Sequence, residues 1–405
     1  MSLTVCMTDI RILTLMLAGL AMLGPFSIDT YLPAFDRIAG DLGVDSVLMQ
    51  HTLSIYLLSF AFMSLFWGTL SDTFGRRPII IVSLVMFLVG SIGCAFAPSY
   101  GWLLFFRAIQ GCSAGAGRIV GQALARDRYH GVEAQRLFAN IAMVFSLAPA
   151  IAPIIGGYLS TYIGWRAIFT MLALFTIALI VSSWRCLPET LPARSRQPMK
   201  LRPVVRNYLK VLSNVRFVFA IAAVALAFSG FSLYIASAPR FILDILNLPE
   251  TAFGWLFVPF IGGMVLGSML SSRLAGKVGP ETLIITGQII MGLGAVYNVV
   301  YNLLFEPAVP WAVIPIAIYG FGMSTALPGM TVVTLSIFPS MRGMASSIQG
   351  TMQMLVFAFV AGFVAPLLYG SALHLAIGTV VGAALCAITW QISKKLDVPG
   401  GVPAE

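Results

Sequence analysis

Charge is what this sequence has least of. Only 10% of its 405 residues are Asp, Glu, Lys or Arg, and 59% are hydrophobic, whereas soluble domains run at roughly a quarter charged. No polar stretch is long enough to build a soluble domain, so the chain reads as an integral membrane protein. Several enzyme signatures are missing too. His51, His130 and His374 are scattered and form no H-E-x-x-H, which removes that metal-binding helix. No G-x-x-x-x-G-K-[ST] occurs, so no phosphate loop is expected to draw energy from ATP. The five cysteines, Cys6, Cys94, Cys112, Cys186 and Cys386, include no C-x-x-C and mostly sit in apolar runs; neither a disulfide nor a metal framework is expected. No metal and no cofactor is therefore expected. The net charge of +9 would suit nucleic acid, but most of the excess sits in short loops and one linker between apolar runs. Topology accounts for it, and no nucleic-acid partner is expected.

What the chain does have is a succession of apolar runs of about 18 residues or more, each long enough to cross a bilayer as a helix. They recur from Ile10 to the Lys394-Lys395 pair. Breaking them at charges and turn residues predicts twelve spans, at 10–33, 47–70, 78–98, 100–125, 136–160, 165–187, 215–238, 251–272, 281–304, 309–337, 343–369 and 371–393. The first is too long for a signal h-region and lacks an A-x-A site, so it reads as retained. Lys and Arg favour the cytoplasmic side. With the N-terminus inside, only Arg37, Arg166 and Arg240 fall outside, Arg107 and Arg118 lie within a span, and the remaining basic residues are cytoplasmic; both termini are predicted cytoplasmic.

The longest polar segment, "PETLPARSRQPMKLRPVVRNYLK" from Pro188 to Lys210, is rich in Arg and Pro and splits the spans into two sets of six. The predicted organisation is an all-α membrane protein of two six-helix lobes, 1–187 and 215–405, joined by a basic cytoplasmic linker at 188–214 and ending in a short cytoplasmic tail. The linker reads either as a tether or as a segment whose basic residues are drawn to anionic membrane lipid. "GTLSDTFGRRP" (Gly68 to Pro78) after span two has a weak echo in "SMLSSRLAGKVGP" (Ser268 to Pro280) after span eight, as expected of a transporter built from repeats.

Among 15 acidic residues, only Asp29 falls well inside a predicted span. A carboxylate there costs a few kcal/mol on insertion scales and is retained where it faces a cavity or a partner; it can take and release protons as its surroundings change. The alternative is a structural carboxylate at a kinked helix end beside Pro25 and Pro33. Span four carries Arg107 and Arg118, eleven residues apart, hence on one helix face at roughly 16 Å. Arg107 and Asp29 fall at matching depth and are expected to be able to pair if their helices adjoin. "GCSAG" (Gly111 to Gly115) matches a nucleophile elbow but lacks its strand, His and acid. Gly111, Gly115, Gly117 and Gly121 instead read as small residues that admit close helix contact.

In "GTLSDTFGRRP", Gly68 and Gly75 are expected to shape a tight turn holding Asp72, Arg76 and Arg77, opposite Asp127 at the inner end of span four; such a cluster is either a plain loop or a breakable latch. "APAIAPIIGG" (Ala148 to Gly157) combines Pro149 and Pro153 with Gly156 and Gly157, which is kinked packing or a gating hinge. Tyr31, Tyr56, Phe231, Tyr234, Gln349 and Gln353 are polar or aromatic residues inside spans that could line an amphipathic pocket between the lobes. Gln349 and Gln353 share a helix face.

Four motifs stand in order: "LGPFSIDTYLP" (Leu23 to Pro33), "GTLSDTFGRRP", "RAIQG" (Arg107 to Gly111) and "APAIAPIIGG". With the span count and linker, they make the chain resemble a twelve-span member of the major facilitator superfamily, in the drug:proton antiporter branch of the Bcr/CflA (bicyclomycin/chloramphenicol resistance) type. The resemblance implies a transporter rather than an enzyme, a monomer of the bacterial inner membrane that exports small amphipathic compounds in exchange for protons. It implies Asp29 as the proton-coupled acid, also contacting substrate, with Arg107 tuning it; Arg118, by its place on the helix face, is either a substrate contact or a snorkelling residue. It further implies Asp72 and Arg76 as the cytoplasmic gate with Asp127 as partner, to which the turn residues Gly68, Gly75 and Arg77 are assigned as well, and Pro149, Pro153, Gly156 and Gly157 as the hinge. Two departures stand out: Ser271-Ser272 where the second loop copy should carry an acid, and a single acid in span one where some multidrug relatives carry two. A proton-coupled uptake carrier for a nutrient is the alternative reading.

Overall fold

Lipid offers no hydrogen bonds, so a chain this apolar can satisfy its backbone only by coiling into helices. The computed structural model describes residues 10–129, 131–192, 194, 196 and 201–396; the chain ends, Cys6 and His130 lie outside them. In chain order the helices are α1 (Ile10–Asp29), α2 (Phe35–Leu42), α3 (Ser46–Phe74), α4 (Arg76–Ala95), α5 (Tyr100–Arg128), α6 (Gly131–Tyr162), α7 (Arg166–Cys186) and α8 (Leu201–Leu212). They continue as α9 (Val215–Ala227), α10 (Ser229–Pro239), α11 (Gly254–Leu274), α12 (Pro280–Leu304), α13 (Ile314–Ser336), α14 (Arg342–Phe359), α15 (Ala365–Leu368) and α16 (Ala372–Lys395). α9 and α10 form one span broken at Phe228, and a π-helical turn, Val360–Val364, joins α14 to α15. No strand occurs among the described residues.

Among the described residues, ten helical segments are long and apolar enough to cross a membrane. α5 and α6 are the other two long helices; α5 dilutes its apolar residues with Arg107, Gln110, Arg118 and glycines. Helix ends carry local signals. Asp45 caps α3, its Oδ1 accepting from Leu48 N at 2.7 Å. Gly43, at φ +65°, closes α2, and Gly75, at φ +103°, closes α3, conformations open to glycine. The expected tight turn therefore shrinks to Gly75. Gly68 and Asp72 stay inside α3, because nothing in "GTLSDTF" breaks a helix.

The chain divides into two compact units, Met1–Met199 and Lys200–Glu405. In the first, α5 lies against α1, α3 and α4, with α4 on α7 and α1 on α6; in the second, α13 lies against α11 and α12, and α16 against α9 and α12. The glycines of α5 explain its central place. A Cβ on Gly111 would fall 2.2 Å from the Tyr56 carbonyl oxygen, and one on Gly117 would fall 2.5 Å from that of Leu20. One register of small residues thus admits α3 and the other admits α1. Cys94, Cys112 and Cys386 are free thiols, whereas Cys186 is disulfide-bonded, contrary to the expectation of no disulfides; spacing alone cannot announce a single bridge.

Candidate functional site

α1 runs through Pro25 and stops at Asp29. Pro33 explains the stop: it cannot donate to a helical ladder and disfavours helical geometry in the residue before it. The chain then makes a short 3-10 turn, Leu32–Ala34, and resumes as α2. Thr30 ties the break down, its backbone N and Oγ1 both donating to the Phe26 carbonyl, at 3.1 and 2.6 Å. Asp29 is buried at this break, and no described residue offers its carboxyl group a hydrogen bond or an ion pair. A charged carboxylate so placed is costly.

Arg107 is completely buried. Its Nη1 donates to Gln110 Oε1 at 2.9 Å, Ser27 Oγ at 3.0 Å and the Ser27 carbonyl at 3.3 Å. The guanidinium carbon stands 4.7 Å from the ring centre of Tyr31 and 4.3 Å from that of Tyr56, so two aromatic rings share the cation. Its Nε and Nη2 have no hydrogen-bond partner among the described residues. Helices α1 and α5 do adjoin, yet Arg107 and Asp29 make no ion pair. The arginine takes Ser27, two residues before the acid.

The rings are themselves fixed. Thr52 Oγ1 donates to the Met49 carbonyl at 2.6 Å, so the 2.5 Å contact between Tyr31 OH and Thr52 Oγ1 uses the tyrosine proton. Tyr56 OH donates to the Gly24 carbonyl at 3.1 Å. Gln110 Nε2 reaches Ser91 Oγ at 2.8 Å, bringing α4 into the network. Ser27, Thr52, Ser91 and Gln110 escape sequence reasoning because Ser, Thr and Gln are unremarkable in spans. Only the position of Gln110 within "RAIQG" hints at it. Arg118, expected on the same buried face, is exposed: α1 presses on the adjacent face of α5, at Gly117 and Gly121, and leaves the side bearing Arg118 uncovered.

Gly156 of α6 meets the same break from the other side. A Cβ there would lie 2.0 Å from the Thr30 carbonyl oxygen. Pro149, Pro153 and Gly157 are buried on this helix.

At the end of the first unit that holds Gly75, Arg76 Nη1 donates to Asp72 Oδ1 at 2.5 Å and Ser71 Oγ at 2.6 Å, while Nε donates to Asp127 Oδ2 at 3.0 Å. Arg77 instead reaches the Trp184 carbonyl. The sequence reading missed Glu189, in "PET". Its Oε1 accepts from Arg76 N at 3.1 Å, Thr190 Oγ1 donates to Asp127 Oδ2 at 3.1 Å, and Arg196 lies 3.9 Å from Glu189 Oε2. The linker thus starts strapped across the Gly75 turn.

In the second unit Phe231 stacks on Phe260 at 4.9 Å. Tyr234 is buried and accepts from Asn298 Nδ2 at 2.7 Å. Gln349 donates to Thr331 Oγ1 at 3.2 Å, its Oε1 is buried without a partner, and Gln353 is half-buried one turn on.

Bundles of long apolar helices with a buried arginine and a buried acid describe a membrane protein, and comparison gives its family. Residues 17–362 match the Major Facilitator Superfamily, and the chain belongs to that family. It is 30% identical over 398 residues to a bicyclomycin resistance protein homolog of Haemophilus influenzae, covering 97% of this chain and 98% of the relative. It is 28% identical to the multidrug transporter MdfA of Escherichia coli O6:H1, covering 78% and 76%. The fold matches the proton:xylose symporter XylE with a TM-score of 0.73 at 15% identity, covering 96% of each chain. The chain is therefore a multi-pass membrane transporter with the major facilitator fold, not an enzyme, and it is similar to transporters of the Bcr/CflA type.

Proposed function

We propose that this transporter is a proton-coupled drug antiporter of the bacterial inner membrane, a monomer with both termini cytoplasmic, exporting small amphipathic compounds by alternating access between lobes 1–187 and 215–405. The observation that carries the proposal is the break after Asp29: a buried carboxyl without a partner among the described residues, two residues from the serine that holds a buried arginine. Relatives named for bicyclomycin and multidrug resistance support drugs as the cargo class.

In this reading Asp29 exchanges a proton for substrate. A proton from the outer side neutralises the carboxyl and ends its attraction for bound substrate, which leaves outward. Loss of that proton to the inner side restores the charge. Arg107 is the standing positive charge that sets which form of Asp29 the site tolerates. Its unsatisfied Nε and Nη2 are the donors through which it would respond. Substrate contacts are assigned to Asp29, Tyr31, Tyr56, Arg107, Arg118, Phe231, Tyr234, Gln349 and Gln353. Gly68, Asp72, Gly75, Arg76, Arg77 and Asp127 gate the cytoplasmic side, and α6 hinges at Pro149, Pro153, Gly156 and Gly157.

Inside-out vesicles test the whole scheme. Substrate added outside should alkalinise an acidified lumen as protons leave in exchange, and Asp29→Asn should abolish that signal while still folding. Acidification on substrate addition would mark a symporter, and an unchanged signal in Asp29→Asn would remove the acid from the coupling.

A further inference from the structure

Helix α8, just after the linker strap, has three faces with three different requirements. Val211 is fully buried among Phe217, Ile221, Phe338, Ala345 and Ile348, and Tyr208 packs on that cluster and hydrogen-bonds Ser347. Phe217 is in the first turn of α9, and Ala345 and Ile348 are in the first turns of α14. Only Ser213 and Asn214 separate α8 from α9, and Asn214 Oδ1 caps that helix by accepting from Phe217 N at 2.9 Å. The helix is thereby pinned at the depth where two membrane-spanning segments begin.

Its second face is apolar and uncovered. Val205, Leu209 and Leu212 recur at helical spacing and are 51%, 63% and 41% exposed. In water such a stripe would be unfavourable; at the end of a spanning helix it lies level with acyl chains. The third face is basic: Arg206 and Lys210, one turn apart, line an open groove of about 570 Å³ with Asn207, Leu209 and Ser213. No Asp or Glu occurs between Glu189 and Asp244, so the sequence around the helix is uniformly basic.

We propose that the Arg206–Lys210 groove holds the headgroup phosphate of an anionic phospholipid, with the acyl chains running along Val205, Leu209 and Leu212. A guanidinium and an ammonium one turn apart give a phosphodiester charged hydrogen bonds, Asn207 adds a neutral donor, and the adjoining apolar stripe selects a lipid over a free phosphate. The linker helix is then a lipid-reading element rather than a tether. This rests on the cytoplasmic placement of the linker under the exporter reading, where the inner leaflet supplies anionic lipid.

The test uses the full chain in nanodiscs of phosphatidylcholine with or without phosphatidylglycerol, and native mass spectrometry of the lipid retained after release. The unmodified chain should keep phosphatidylglycerol in preference to phosphatidylcholine and melt at a higher temperature in its presence. Arg206→Gln with Lys210→Gln should weaken retention roughly 25-fold, about fivefold for each basic residue, Arg206→Lys should keep most of it, and Lys277→Gln, in a different loop, should change nothing. Equal retention in the double variant, or no preference in the unmodified chain, overturns the proposal. Displacement by sn-glycerol 3-phosphate overturns it too, since the groove would then read a soluble phosphate ester. The readout is lipid retention, not transport, so failure of proton exchange in vesicles and failure here are separate results.

Discussion

Arg107 owes its position to groups that are individually weak. One nitrogen takes all three of its hydrogen bonds, two rings cover the cation, and no carboxylate touches it. A desolvated cation–π contact contributes about 2 kcal/mol, and only a planar guanidinium can satisfy two rings and a three-acceptor fan together. Arg107→Lys keeps the charge and should still lose about 2 kcal/mol, reducing transport more than tenfold. Measured uptake of a fluorescent substrate into inside-out vesicles checks it; a lysine variant with full activity would mean that charge alone suffices. Asp29 and Arg107 were legible in the sequence because an ionisable residue in an apolar run is an exception that needs a reason. Their company was not. Ser27 reaches Arg107 from α1 and Ser91 reaches its partner Gln110 from α4, and no local pattern encodes contacts across 80 and 19 positions of chain.

At the scale of the helix, the spans themselves follow from hydropathy, since a backbone in lipid has little choice but to coil. The interruptions follow less directly. Pro33 marks the end of α1, but Pro25 sits inside the same helix without ending it, and the break at Phe228 between α9 and α10 carries no proline. Glycines divide likewise into those that touch and those that do not. Gly156→Val would drive a side chain into the Thr30 carbonyl, forcing α6 off the break at Asp29, and should destabilise the protein by about 1–3 kcal/mol, seen as a lower melting temperature. Gly68 has nothing within 4 Å and lies inside α3. Gly68→Ala should stabilise the protein by about 0.5–1 kcal/mol of helix preference, seen as a higher melting temperature, and if Gly68 belongs to the cytoplasmic gate it should also slow transport. Unchanged transport in that variant would remove Gly68 from the gate.

For the molecule as a whole, the two units end in different chemistry despite their sequence echo. In the first, Arg76 is buried between Asp72 and Asp127, with Glu189 accepting from its backbone, so four charged groups and the start of the linker are one network. In the second, the matching loop has Ser271 and Ser272 in place of an acid, and Arg273 and Lys277 are exposed with no ion pair among the described residues. An exposed charge contributes at most about 1 kcal/mol, while taking one partner from a largely buried pair costs 3–5 kcal/mol. Asp72 is itself half-exposed, which places its removal toward the lower figure. If the first unit carries the latch, Asp72→Asn should cut the transport rate roughly tenfold or more, whereas Arg273→Gln should leave it within about twofold because a surface charge is worth so little. Initial rates from the same vesicle preparation, at matched protein content, compare the two directly. Equal losses would mean that both loops gate the path and that the missing acid in the second copy has no mechanical consequence.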